Sequence, residues 1–273
     1  LGDHFPICIM PEGNHGNKRR LRPLVKGVFR IAFRTHERFH DKKGVKIVPV
    51  GIDYSHYQKF FQDLLVIYGE PIDVSEYYES FKQNGPKGIN ELKKRLVSEL
   101  KKIIIHIENE EFYNMYHHLR EIYNKKMRMK TGILGRKHYD RFRADKQMIR
   151  ILDERLKSHP DQVKELSEKV NDYVQKLKDL NLRNWIFERS GFTTKKIIYK
   201  RFGLALSFPI FIYGFINNYL PFHLPLRATK NIKDAQFHSS FRFGLAVLLF
   251  PFFYALQTIL IGLITNPAWI PWI

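Results

Sequence analysis

Pro6–Phe33 reads PICIMPEGNHGNKRRLRPLVKGVFRIAF: an apolar run, a Pro-Glu-Gly turn, a basic loop and an apolar-striped helix, in that order. Ile7, Cys8, Ile9 and Met10 are short and apolar enough to predict a buried strand that ends at Pro11. Glu12 and Gly13 follow at once, and then Asn14, His15, Gly16, Asn17, Lys18, Arg19, Arg20 and Arg22 form a polar, cationic loop. From Leu24 to Thr35 the residues Val25, Val28, Phe29, Ala32 and Phe33 recur at three- and four-residue spacing, which predicts a helix with one apolar face. A glycine turn, cations and a helix N-terminus together suit an anion. Glycine lets the backbone turn sharply, lysine and arginine give charge-assisted hydrogen bonds, and the helix start offers oriented N–H groups. The same residues also suit an ordinary strand-to-helix loop with a solvated basic face.

The whole chain is cationic. Its 273 residues carry a formal net charge of +19 and a pI near 9.9, so the partners to expect are acidic: nucleic acid, anionic lipid or phosphorylated substrates. The single cysteine, Cys8, excludes an internal disulfide. The chain starts with Leu1, Gly2 and Asp3, just ahead of the predicted strand, and from this we expect a C-terminal fragment of a longer protein.

Beyond the first helix, His36–Gly44 is a hydrophilic linker, and Val45–Ile52 predicts a second strand that would join the first through a right-handed crossover. Leu64–Tyr68, closed by Gly69 and Pro71, predicts a third. Residues 71–88 look irregular, with Asn84-Gly85-Pro86 as a breaker. Asn90 then caps a helix striped by Leu92, Leu96, Val97 and Leu100 that runs to about Ile107. From Glu108 to Lys200 charged amphipathic helices follow. One carries Tyr113, Tyr116, His117, Leu119 and Tyr123. A second carries Ile149, Leu152 and Leu156 and stops at Ser158-His159-Pro160. A third carries Val163, Leu166, Val170, Val174, Leu177 and Leu180.

Two hydrophobic stretches close the chain, 202–222 and 243–264, each near the roughly 20 residues that cross a bilayer core as a helix. Neither holds a charge, although Pro209, Pro251 and Asn217-Asn218 interrupt them. Lys195, Lys196, Lys200 and Arg201 before the first, and Trp269 and Trp272 after the second, fit basic flanks and interfacial aromatics. Arg227, Lys230, Lys233 and Arg242 between the stretches run against a fully crossed hairpin with a cytoplasmic N-terminal flank. The expectation is a membrane hairpin of open depth. A pair of buried core helices is the alternative.

Met10-Pro11-Glu12-Gly13, the basic loop and Lys26-Gly27 resemble the third sequence block of the glycerolipid acyltransferases, the glycerol-3-phosphate and 1-acylglycerol-3-phosphate acyltransferase family. That block usually reads phenylalanine-proline-glutamate-glycine-threonine-arginine-serine. Here Asn14, His15 and Gly16 replace its last three residues. Ile47-Val48-Pro49-Val50 resembles the fourth block, and the likeness spans roughly Phe5 to Ile107.

The resemblance implies an α/β fold: a partial mixed-sheet acyltransferase core with flanking helices. With the helical and hydrophobic patterns read above, the chain would divide as 1–107 for the C-terminal part of the acyltransferase domain, 108–200 for a basic amphipathic helical segment and 201–273 for the membrane hairpin. It implies transfer of a fatty acyl group from acyl-CoA or acyl carrier protein to a hydroxyl of glycerol phosphate or a lysophospholipid. The reaction would take place at a membrane with the catalytic domain on the cytoplasmic face, in contact with anionic lipids and with no cofactor or metal. The acceptor phosphate would be held by Glu12, Gly13, Lys18, Arg19, Arg20 and Lys26, with Pro11 and Pro49 shaping the site.

The family's proton-transfer pair, a histidine and an aspartate four residues apart, precedes the third block. Ahead of Pro11 this chain offers only Asp3 and His4, in the wrong order, so no catalytic residue is assigned. His36 and Asp41 have the spacing but follow the block, and chain order sets them aside. His117-His118 point to different helix faces and complete no metal site. Two other readings remain: a non-catalytic basic membrane-surface lipid-binding module, and a nucleic-acid binder built on the cation- and aromatic-rich residues 125–155. Anionic lipid explains the same charge beside hydrophobic stretches, so no nucleic-acid partner is expected.

Overall fold

The structure is a computed structural model that describes residues 6–13, 16, 18–39, 44–55, 62–133, 135, 137–188, 193–232 and 237–264. Asp3, His4, Asn14, His15, Asp41, Lys233, Trp269 and Trp272 lie outside the described residues. Those described fall into two compact units, one drawn from 1–55 and 62–184, the other holding 185–264.

The first unit runs α1 (Gly27–Phe39), β1 (Lys46–Ile47), β2 (Val50–Tyr54), β3 (Leu64–Tyr68), β4 (Ile72–Asp73), a short 3-10 turn (Val74–Tyr77), α2 (Tyr78–Gln83), α3 (Gly85–Ile103), α4 (Tyr113–Lys130), α5 (His138–Ser158) and α6 (Pro160–Asp179). The predicted mixed sheet is corrected: the described strands make two antiparallel pairs, β1 with β4 and β2 with β3, and none of these pairs is parallel. The predicted strand at Ile7–Met10 does not form, and Ile7, Cys8, Ile9 and Met10 are exposed. A strand needs a neighbour for its alternate N–H and C=O groups, and no described strand pairs with this run.

The predicted strand 45–52 splits at Val48-Pro49, because proline cannot donate to a ladder. Ile47 pairs with Ile72, whereas Gly51 pairs with Ile67, so the chain changes sheets across a buried Pro49. Gly51 lies against the end of α3, where a Cβ would overlap the Ile103 carbonyl; only glycine admits that approach. Leu64–Tyr68 forms as the sequence predicts.

Helix boundaries also shift. α1 begins at Gly27 rather than Leu24, leaving Val25 exposed while Phe29, Ala32, Phe33 and His36 are buried. Asn84 turns out to be the N-cap of α3, its side chain accepting from the Lys87 N–H at 3.2 Å. Pro86 sits in the first turn, where its missing N–H costs nothing. Asn90 is therefore inside the helix. α3 ends at Ile103, short of Ile107, where Lys146 Nζ donates to the carbonyls of Lys101, Lys102 and Ile104 at 2.6, 2.7 and 3.1 Å. A lysine there supplies the end carbonyls that the helix leaves unpaired, and its charge opposes the helix dipole.

Two cores result. Leu24, Phe29, Phe33, Ile72, Val74, Ile89, Leu92, Leu96 and Leu100 form the first, with Phe33 stacked on Phe81 at 4.1 Å between centroids. The second is built from Ile105, Ile107, Tyr113, Met115, Tyr116, Phe142, Met148, Ile149, Leu152, Val163 and Val170, with Leu65 and Ile67 of β3 packed against it. Inside it Arg120 pairs with Asp145 at 2.8 Å, and Asn124 donates to the same carboxylate at 2.6 Å.

The second unit holds α7 (Trp185–Glu188) and two long helices, α8 (Thr194–Ala228) and α9 (His238–Ile264). Pro209, Pro221, Pro225 and Pro251 lie within them, so the proline interruptions expected at 209 and 251 do not end the helices. At 35 and 27 residues, and about 1.5 Å per residue, both exceed a hydrocarbon core of about 30 Å. They are long and apolar enough to cross a membrane. Leu204, Leu206, Ile210, Leu248 and Leu263 are exposed, so the described residues do not bury the two helices as a core pair.

The two helices pack antiparallel, as three bonds show. Arg242 Nε donates to Thr229 Oγ1 at 2.9 Å, the Tyr254 hydroxyl to Asn218 Oδ1 at 2.6 Å, and Gln257 Nε2 to the Asn217 carbonyl at 2.7 Å. As the α8 number falls, the α9 number rises.

Candidate functional site

The Pro-Glu-Gly turn is built from its own backbone and one carboxylate. The Val25 N–H donates to the Pro11 carbonyl at 2.8 Å, and the Arg22 N–H donates to Glu12 Oε1 at 3.2 Å, so the ends of the loop face each other. Gly13 takes a left-handed φ of +65°, and a Cβ there would meet Val25 Cγ1 at 3.0 Å. The left-handed φ favours glycine, and the close valine adds to the cost of any side chain there. In this structure Glu12 is a loop brace.

The cations divide sharply. Arg19 pairs with Asp53 of β2, and its Nη2 donates to the Tyr54 carbonyl at 2.9 Å. The side chain of Asp53 is 7% exposed and its other oxygen lies 2.9 Å from His138 Nε2 at the start of α5, so one carboxylate stands against loop, strand and helix. Arg20 pairs with Glu110, but here the side chains are 35% and 70% exposed. Removing one partner of a buried pair typically costs about 3–5 kcal/mol. A solvent-exposed pair is worth only about 0–1 kcal/mol. Arg19 is therefore committed to the fold, and Arg20 is free to exchange its partner. Lys18 is exposed, with Nζ 5.2 Å from the centre of the Tyr113 ring. Lys26 is exposed one residue ahead of α1. Neither lysine has a carboxylate partner among the described residues.

The loop backbone is pinned from far along the chain. The Arg19 N–H donates to the Tyr113 hydroxyl at 2.7 Å, the Ile107 N–H to the Arg19 carbonyl at 2.9 Å, and the Leu21 N–H to His106 Nδ1 at 2.9 Å. An imidazole nitrogen that accepts must be unprotonated. Burial first, and then the Lys101 ammonium, hold the His106 pKa below its ordinary value, which keeps that acceptor available. The roles of Asp53, His106, Glu110 and Tyr113 as partners of this loop leave no local pattern in the sequence, because they lie 34 to 94 positions away.

Of the sequence-predicted residues, the structure brings Glu12, Gly13, Lys18, Arg19 and Arg20 into one loop region, with Lys26 just beyond it. Pro49 is buried between β1 and β2, where its carbonyl accepts from the Gly69 N–H at 2.8 Å. His36 lies in the first core, edge-on to Tyr78 at 4.8 Å, as a packing residue. Two clefts open elsewhere, one of about 390 Å³ lined by Thr131, Ile133, Arg143 and Gln147, and one of about 190 Å³ that includes Lys101, His106, Lys146 and Asp153. Neither is lined by the loop cations. Among the described residues no group of three His, Cys, Asp or Glu side chains is placed to hold a metal.

A segment of 68 residues, 25% of this chain, is 38% identical to glycerol-3-phosphate O-acyltransferase 1 of Saccharomyces cerevisiae, and covers 9% of that protein. Glycerol-3-phosphate O-acyltransferase 2 of the same yeast is 32% identical over 95 residues, 34% of this chain and 13% of its own length. An uncharacterised acyltransferase of Schizosaccharomyces pombe is 30% identical over 77 residues, 28% of this chain and 11% of its own. All three are acyltransferases. The likeness is partial and supports an acyltransferase family for the chain. The chain matches only about a tenth of the length of these curated relatives. No family model and no solved structure matches.

Proposed function

We propose that this chain is the acceptor-side part of a membrane-bound acyltransferase in phospholipid biosynthesis. The enzyme moves a fatty acyl group from acyl-CoA or acyl carrier protein to a hydroxyl of glycerol phosphate or 1-acylglycerol 3-phosphate. The observation that carries the reading is the 38% identity to a glycerol-3-phosphate acyltransferase. The Pro-Glu-Gly turn adds to it by presenting cations beside a braced loop.

The reaction needs a base to take the proton of the attacking hydroxyl as it adds to the thioester carbonyl, after which the thiolate leaves. We assign the base to the parent protein outside this chain. The part played here is electrostatic. Lys18, Arg20 and Lys26 hold the acceptor phosphate by charge-assisted hydrogen bonds, while Glu12 and Gly13 fix the loop that carries them. α8 and α9 keep the site at the membrane where lipid acceptor and product reside, and Lys195, Lys196, Lys200 and Arg201 favour the cytoplasmic side. The 273-residue chain alone is expected to be inactive.

The test is acyl transfer by the parent protein in proteoliposomes, with labelled glycerol 3-phosphate or 1-acylglycerol 3-phosphate and a long-chain acyl-CoA. Incorporation of label into lipid by the parent, and none by the 273-residue chain, is the expected result. Absence of transfer by the parent to either acceptor, from acyl-CoA or acyl carrier protein, would overturn the reading. It would leave the non-catalytic lipid-binding module, which the charge of +19 and the two apolar helices favour.

A further inference from the structure

We infer that the Arg20–Glu110 pair is an exchangeable latch: Glu110 occupies the anion position on Arg20 until a phosphate monoester displaces it, with Lys18 as the second cation. Arg19 takes no part in gripping the ligand. This rests on the acceptor-site reading above and divides its cations by role.

Three observations separate the neighbouring arginines. First, Arg19 is enclosed by acceptors of its own fold, the Asp53 carboxylate and the Tyr54 carbonyl, whereas Arg20 has one carboxylate partner, Glu110, among the described residues. Second, Glu110 is 70% exposed and stands in the turn just ahead of α4, so it can swing into water at little cost; Asp53 is 7% exposed and shared with His138. Third, the backbone on either side of Arg20 is fixed, by Tyr113 and Ile107 at Arg19 and by His106 at Leu21. Its guanidinium is therefore presented from a rigid base.

A phosphate monoester carries nearly two charges at neutral pH and three acceptor oxygens against the two of a carboxylate. It also matches the guanidinium fork in the same bidentate geometry. With Lys18 beside the same loop, a dianion gains a second cation that Glu110 leaves unused. The ligand is thus a phosphate monoester, and the acceptor-site reading makes it glycerol-borne, whether water-soluble or in a lysolipid.

The experiment uses the 273-residue chain in neutral phosphatidylcholine vesicles. Calorimetric titrations are run with glycerol 3-phosphate, inorganic phosphate and glycerol, and vesicles doped with 1-acylglycerol 3-phosphate supply the lipid arm. Wild type is expected to bind both phosphate monoesters and not glycerol. Arg20→Gln should weaken binding at least about tenfold, equivalent to about 1.4 kcal/mol. Glu110→Gln, which removes the competitor but keeps the size, should tighten it about two- to fivefold. That gain is one a merely structural role of the pair would not produce. If Glu110→Gln leaves binding unchanged or weaker, or Arg20→Gln binds as wild type while folded by circular dichroism, the latch is wrong. Such a result leaves the parent's acyl transfer untouched, so failure here is distinguishable from failure of the functional reading. Equal affinity for inorganic phosphate and both esters would also overturn it, by reducing the site to a general anion trap.

Discussion

The helical layer α4–α6 and the pair α8–α9 are both laced by polar side chains, but with opposite chemistry. In the first, charges do the lacing: Arg120 with Asp145 in the core, and Lys146 on the end of α3. In the second the interior bonds are neutral, Tyr254 to Asn218 and Gln257 to the Asn217 carbonyl. Among the bonds described between the two helices, the one from a cation is Arg242 to Thr229, near the start of α9. A charge inside a water-facing protein is tolerable when its partners are built around it. In hydrocarbon even a paired charge is costly, and uncharged amides and hydroxyls do the joining. The lesson is that one helical period carries two kinds of seam, charged in α4–α6 and neutral between two helices that are long and apolar enough to cross a membrane.

The largest break should come from Arg120→Ala, which strands the Asp145 carboxylate in the core. The expected loss is about 3–5 kcal/mol in reversible unfolding, and the apolar double change Arg120→Met with Asp145→Leu should recover most of it. No recovery in the double variant would mean that the charges supply more than their own compensation. Next, Lys146→Met frees three carbonyls at the end of α3, and a loss of about 1–3 kcal/mol is expected. Hydrogen exchange should quicken in the last turn of α3 before it does elsewhere.

A further loss depends on pH. The pKa of His106 is lowered in the fold by burial, so the unfolded chain takes up its proton first as pH falls. Its contribution is full above the ordinary histidine value of 6.5 and is lost as pH falls through the lower folded value. His106→Asn, compared with wild type from pH 8 to pH 5, should flatten that part of the profile. An unchanged slope would remove His106 as the acceptor for Leu21. The smallest effect should be in the hairpin, where Tyr254→Phe is expected to cost about 0.6 kcal/mol in micellar unfolding. A loss several times larger would mean that the seam carries more than helix association.

What the sequence made legible was local. Leu64–Tyr68 declares itself by its closing glycine and proline, α5 stops at Ser158 before Pro160, and the stripe of α6 matches its buried Val163 and Val170. The two apolar helices were legible for the same reason. The errors are also local chemistry, read one step short. Asn84-Gly85-Pro86 looked like a break and is a capped start, and Pro49 divided a strand that hydrophobicity alone made continuous. Ile7–Met10 shows that apolar character alone does not make a strand without a partner. The division of labour between Arg19 and Arg20 was illegible, because two adjacent arginines are alike until Asp53 and Glu110 arrive from elsewhere in the chain.

The long-range pinning of the basic loop also sets an order of events during synthesis. Tyr113 follows Arg19 by 94 positions, so at about 5–20 residues per second the ribosome extends the chain for roughly 5–20 s before the last anchor exists. For that interval the segment Lys18–Arg22 lacks its anchors on Ile107 and Tyr113. Nascent chains arrested near residue 105 should be cut by trypsin in this loop, and chains released at full length should resist. Equal cleavage of both would mean that the loop holds itself.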